Sequence, residues 1–188
     1  SFAMTLEPDD AAHSLSEIAA VERRTRQTLA YGRSSAAIIL WGVLLVFGYT
    51  FGFAFPDLER KAWFAVIAMG FAGCTFLGSR RSSQAGRSPW DQPILFGQLV
   101  LYAYGWMFVT ILWPLAPRQL NAFWPNVFML GFALAGLWLG RAFLLLGLSV
   151  TALTLVGYFW SGPWFGLWMA VVGGGGLIAG GLWLRRLG

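Results

Sequence analysis

Six runs of apolar residues, each bounded by charges or prolines, set the pattern of this chain: 35–55, 62–78, 94–114, 123–140, 142–160 and 164–184. None contains Asp, Glu, Lys, Arg or His. Each is close to the ~20 residues that a helix needs to cross the hydrocarbon core, the second being the shortest. The pattern predicts an all-α integral membrane protein of six transmembrane helices. The fourth and fifth runs meet at Gly140-Arg141. Read as one helix they would be roughly twice as long as a bilayer requires, and Arg141 belongs at an interface, so a tight helical hairpin is expected there.

Before the first run lies a polar segment, 4–34. Ser14-x-x-Glu17 has the form of a capping box, and Leu15, Ile18, Val21 and Leu29 then share one side of a short amphipathic helix ending near Tyr31, with Glu22 intruding on the stripe. Glu22 and Arg26 stand in the favourable i, i+4 order. Arg23, Arg24 and Arg33 are expected to rest against anionic lipid headgroups, with the helix lying on the inner membrane face; docking of a cytoplasmic protein is the alternative. Ser1-Phe2-Ala3 has the look of a protease-cleavage scar left by an expression tag, with Met4 as the natural start. The first long apolar run begins only at Ser35, so the first span is expected to act as its own insertion signal.

Composition agrees with hydrocarbon as the solvent. The chain of 188 residues is 57% hydrophobic and 11% charged, whereas soluble domains carry about 25% charged residues because something must face water. The formal charge of +5 is therefore not read as a footprint for nucleic acid. Its distribution sets orientation instead. Ten of the 13 basic residues (Arg23, Arg24, Arg26, Arg33, Arg80, Arg81, Arg87, Arg141, Arg185, Arg186) fall on one side of a six-span topology, leaving Arg60, Lys61 and Arg118 on the other. Short loops rich in Lys and Arg stay cytoplasmic, which predicts cytoplasmic N and C termini and an inner (plasma) membrane location. Trp63, Trp113, Trp124, Trp160 and Trp164 gather near the opposite boundary, as amphipathic rings do at headgroup level.

The stretch VVGGGGLIAGG, 171–181, raises two opposite readings. Gly174-Gly175-Gly176-Leu177-Ile178-Ala179 satisfies G-x-G-x-x-A, but a dinucleotide turn also needs a preceding strand and an acid about 20 residues on, and no acid follows Asp91. The better reading is a helix that approaches its neighbours closely. Gly166, Ala170, Gly173, Gly176 and Gly180 recur at helical spacing and predict a smooth packing face. Gly48-x-x-x-Gly52 and Gly136-x-x-x-Gly140 offer the same device, within the chain or between chains, so a homo-oligomer is expected. Similar words recur in alternate spans, among them Phe47-Gly48-Tyr49, Tyr104-Gly105-Trp106 and Val156-Gly157-Tyr158. They fit three repeated helical hairpins, and equally the echoes that membrane composition generates by itself.

Chemistry-bearing residues are scarce. One His (His13) and one Cys (Cys74), far apart, leave no ligand set for zinc or a bis-histidine haem, so no metal or cofactor is expected. Ser149 has no histidine to activate it, and no paired carboxylates lie within a span. Asp57, Glu59 and Asp91 stand only at boundaries. What remains is uncharged polarity and aromaticity: Gln98, Tyr102 and Thr110 share one face of the third run, and Tyr49, Trp106 and Tyr158 lie in the aromatic halves of odd runs. These six are candidate ligand-lining residues, with interhelical hydrogen bonding and a plain aromatic belt as the competing readings. The expectation is a non-enzymatic multi-pass inner-membrane protein that binds a hydrophobic ligand, lipid or membrane partner. Its rivals are a small transporter or channel for an uncharged or hydrophobic solute and, with least support, an intramembrane lipid-modifying enzyme.

Overall fold

A computed structural model describes residues 8–85 and 91–187; the expected tag remnant at 1–3, Met4 and Arg87 lie outside the described residues. Those described are helical and contain no strand. The elements are α1 (Pro8–Ala54), a 3-10 turn (Pro56–Leu58), α2 (Glu59–Ala85), α3 (Asp91–Ile111), α4 (Pro117–Leu139) and α5 (Arg141–Trp160). A second 3-10 turn (Gly162–Trp164) leads into a final helix made of α6 (Phe165–Met169), a π-helical turn (Ala170–Gly175) and α7 (Gly176–Leu187). Five helices are long and apolar enough to cross a membrane, and α3 is apolar over Phe96–Ile111.

The amphipathic segment and the first apolar run form one helix, where a separate short helix was expected. α1 has 47 residues, about 70 Å at 1.5 Å per residue, more than twice the ~30 Å hydrocarbon core. Nothing between the two parts stops it: no proline intervenes, and the single Gly32 costs only about 1 kcal/mol. Tyr31 then fixes its course. Its side chain is buried, packs on Phe143 at 5.3 Å between ring centroids, and covers Gly140. Residues 12–25 are exposed all round, and the expected stripe of Leu15, Ile18, Val21 and Leu29 is more than half exposed. The helix therefore continues past the first apolar run instead of turning at the boundary.

The chain reverses where its residues require it. α1 stops at Ala54 because Phe55 precedes Pro56, and a residue before proline is driven out of the helical region. Pro117 starts α4 at a position where the missing N–H costs nothing, and the Gln119 side chain accepts from the Ala116 N–H at 2.8 Å. The α4–α5 hairpin turns on Gly140 alone, at φ 127, with the Tyr31 hydroxyl where a side chain would go. Gly140 thus serves as the pivot of the turn and also receives Tyr31 of α1.

Packing runs in the order α2, α1, final helix, α5, α4, α3, with α1 also touching α4. The most extensive contacts join α4 to α5 and α1 to the final helix, and the core centres on Ile38, Met129, Phe143, Leu146, Val150, Leu177 and Leu184. Glycine is used as expected in kind but not in register. Gly136 admits the backbone of Leu144, and Gly147 brings α5 against Met129 and Ala133 of α4. On the final helix the predicted face divides its duties. Gly176 and Gly180 receive Val150 and Leu146 of α5, while Gly173 lies against Met169 of its own helix. The closest approach, to α1, is made by Gly174 and Gly181, which were not on that face. A Cβ on Gly174 would stand 2.7 Å from Val46 N and 2.8 Å from Gly42 O. The π-helical turn explains the shift, because its wider turn rotates the following residues relative to a regular α-helix. Gly48 packs against Val66 and Trp63, and Gly52 against Glu59, all on α2.

Candidate functional site

Charged and polar side chains meet where α1 ends and α2 and α4 begin. The key is Pro125, inside α4. Lacking an N–H, it leaves the carbonyl of Asn121, one turn earlier, without its helical donor. Tyr49 supplies the missing bond: its hydroxyl donates to Asn121 O at 3.0 Å, and its ring is buried edge-on against Trp63 at 4.8 Å. The Asn121 side chain works in the other direction, its Nδ2 donating to Glu59 Oε1 at 2.7 Å. Glu59 opens α2, where a carboxylate also complements the helix dipole. The absence of a Cβ on Gly52 leaves room for it, since one there would lie 3.0 Å from Glu59 Cγ. Asn121, bonded to both Tyr49 and Glu59, thus ties three helices together.

Arg118, in the first turn of α4, does the equivalent for α5. Its guanidinium donates to the carbonyl of Tyr158, one of the last four of that helix, and sits 5.2 Å from the Tyr158 ring and 5.6 Å from Phe165. A cation there meets the negative end of the helix dipole and two aromatic faces. Four polar atoms remain buried without a hydrogen-bond partner among the described residues: Trp63 Nε1, Gln98 Nε2, Arg118 Nε and Asn126 Oδ1.

Five of the six candidate ligand-lining residues are distributed over three interfaces, and the sixth, Thr110, is exposed. Of the predicted face of Gln98, Tyr102 and Thr110, the first two are applied to α4 together with Trp106. Gln98 is seated over Gly131, Tyr102 lies 6.3 Å from both Trp124 and Phe128, and Trp106 lies 5.3 Å from Trp124. Thr110 is exposed and donates back to Trp106 O at 2.7 Å. Tyr49 belongs to the α1–α4 contact and Tyr158 to the seat of Arg118. Arg23 and Arg24 are exposed on the projecting part of α1, and the side chain of Arg33 lies outside the described residues.

A feature that sequence reasoning missed is a groove of about 250 Å³ between α1 and α2. Phe47 and Phe51, stacked at 6.3 Å and 15°, wall it on the α1 side; Leu58, Val66 and Met69 wall it on the α2 side. Gly48, Ala62 and Ala65 line it with small residues, and Lys61 also lines it, near the start of α2. The signal was present in the one-sided spacing of residues 58, 61/62, 65/66 and 69, but only the crossing of α1 turns that spacing into a trough. Among the described residues no three His, Cys, Asp or Glu gather as a metal site, and the ion pair recorded is His13–Glu17 at 3.5 Å, on the exposed part of α1. The groove is thus lined by apolar side chains and one cation, Lys61. No family model matches the chain, and neither a curated protein nor a solved structure gives a significant match.

Proposed function

We propose that this chain is a non-enzymatic six-span protein of the inner membrane, with both termini cytoplasmic, that binds a membrane lipid or similar hydrophobic ligand on the surface of its helical bundle. The observation that carries the reading is the α1–α2 groove, which is apolar along its length and open to whatever surrounds the bundle. Two features support the rest. Ten of 13 basic residues fall on one side of such a topology. Two of the polar contacts within the bundle serve the backbone: Tyr49 serves the carbonyl that Pro125 orphans, and Arg118 serves the end of α5.

The test is lipid retention. Protein extracted into mild detergent and examined by native mass spectrometry should carry bound lipid, and Ala65→Trp, which puts an indole on the groove lining, should remove it. Retention unchanged in Ala65→Trp would refute the groove as the binding surface. Cysteine labelling at residues 57 and 187 in intact cells and in permeabilised cells should modify the first from outside and the second only after permeabilisation. The reverse pattern, or labelling of both from outside, would refute the topology.

A further inference from the structure

Resting on the reading of the α1–α2 groove as a lipid surface, we infer that its occupant is an anionic phospholipid, its acyl chain between α1 and α2 and its phosphate-bearing headgroup at Lys61. Length, position and charge each point to it. From Leu58 to Met69 the groove follows eleven residues of α2, about 16 Å at 1.5 Å per residue. That is about half of the ~30 Å hydrocarbon core, the depth of one leaflet. One end lies at the start of α2, beside the turn Pro56–Leu58, where the apolar run gives way to Asp57, Glu59, Arg60 and Lys61. The other end closes on Phe47 and Met69, in the middle of both apolar runs. A chain in the trough is thus parallel to the chains of its leaflet, with its head at the level where heads belong.

Charge selects which head. Of the four charged residues at this turn, Lys61 is the one that lines the groove. Glu59 is turned to the opposite side, with its carboxylate on Asn121 and its methylenes under Gly52. Lys61 has no carboxylate within ion-pair distance among the described residues. Its butyl stem can lie along the apolar wall while the ammonium reaches the interface, the usual habit of a lysine at this depth. One such cation is worth about 1 kcal/mol towards an anionic surface, or about fivefold in occupancy.

The experiment uses the full chain in nanodiscs or mixed micelles of phosphatidylcholine and phosphatidylglycerol with identical acyl chains. Bound lipid is counted by native mass spectrometry, and folding is checked by helical circular dichroism and gel filtration. The wild-type protein should enrich phosphatidylglycerol about fivefold over the bulk ratio. Lys61→Gln should abolish the enrichment with total bound lipid unchanged, and Arg60→Gln, outside the groove, should leave the enrichment intact. Enrichment surviving in Lys61→Gln, or lost equally in Arg60→Gln, overturns the assignment of the headgroup to Lys61; so does a wild-type protein without preference. Failure of the groove itself reads differently, as lipid retention unaffected by Ala65→Trp and by the milder Ala62→Leu.

Discussion

Replacing Tyr49 by Phe deletes one oxygen and keeps the ring, so its effect isolates the bond to the Asn121 carbonyl. That carbonyl lost its helical donor to Pro125 and lies, part-buried, next to the buried Ala122 and Tyr49. Leaving a buried acceptor unsatisfied costs about 1–3 kcal/mol, although hydrogen bonds between membrane helices average nearer ~0.6 kcal/mol because the alternatives also find partners. The expected loss for Tyr49→Phe is therefore about 1 kcal/mol. Pro125→Ala restores the N–H that the carbonyl lacks. In that background the hydroxyl is redundant, and Tyr49→Phe should cost almost nothing. The two substitutions should couple by about 0.5–1.5 kcal/mol, beyond the ~0.3–0.5 within which unrelated sites add. The assay is reversible unfolding in mixed micelles with increasing dodecyl sulfate, followed by circular dichroism, for the wild type, both single variants and the double. Strict additivity would refute the account, because it would mean that Tyr49 and Pro125 do not act on the same carbonyl.

Other residues give sharper contrasts. Gly174→Ala places a Cβ against Val46 N and Gly42 O and should destabilise by about 1–3 kcal/mol, whereas Gly175→Ala, with nothing within 4 Å, should be neutral or gain up to ~1 kcal/mol of helix propensity. Equal effects in the same unfolding assay would show that α1 and the final helix do not meet backbone to backbone. Gly140→Ala combines a left-handed φ of 127 with a clash on Tyr31, and about 3 kcal/mol or more is expected. Pairing it with Tyr31→Ala should recover the steric part and leave the backbone part, read from the melting temperatures of the single and double variants. Arg118→Ala should lower the melting temperature and loosen the end of α5, seen as faster amide exchange over 157–161. Arg118→Lys should restore only part of this, since an ammonium cannot both stack on Tyr158 and donate in the same plane.

Much of the architecture was determined by sequence alone, because hydrocarbon imposes a one-dimensional rule: a run of about 20 uncharged apolar residues has no option but to become a helix. The runs 35–55, 142–160 and 164–184 became helical in that way, and the chain turns at Gly140-Arg141, where Gly140 takes a φ of 127 that other residues rarely adopt. Composition likewise announced that glycines would bring helices together. Only the tertiary structure decided which glycine meets which neighbour. That depends on rotation about each helix axis, and one π-helical turn at Ala170–Gly175 moved the closest contact with α1 from the face of Gly176 and Gly180 to Gly174 and Gly181. It also decided that the helix begun in the polar segment runs unbroken into the first span, since Tyr31 holds the junction against Phe143 and Gly140. The candidate sites divide by the same logic. Pro125 and its orphaned carbonyl can be read four residues apart in the chain, but the hydroxyl that answers it comes from Tyr49, 72 residues away. The trough lined by Lys61 exists only because α1 and α2 lie side by side, with Gly48 against Val66 and Trp63, for a groove is a property of two helices and no single run of residues encodes one.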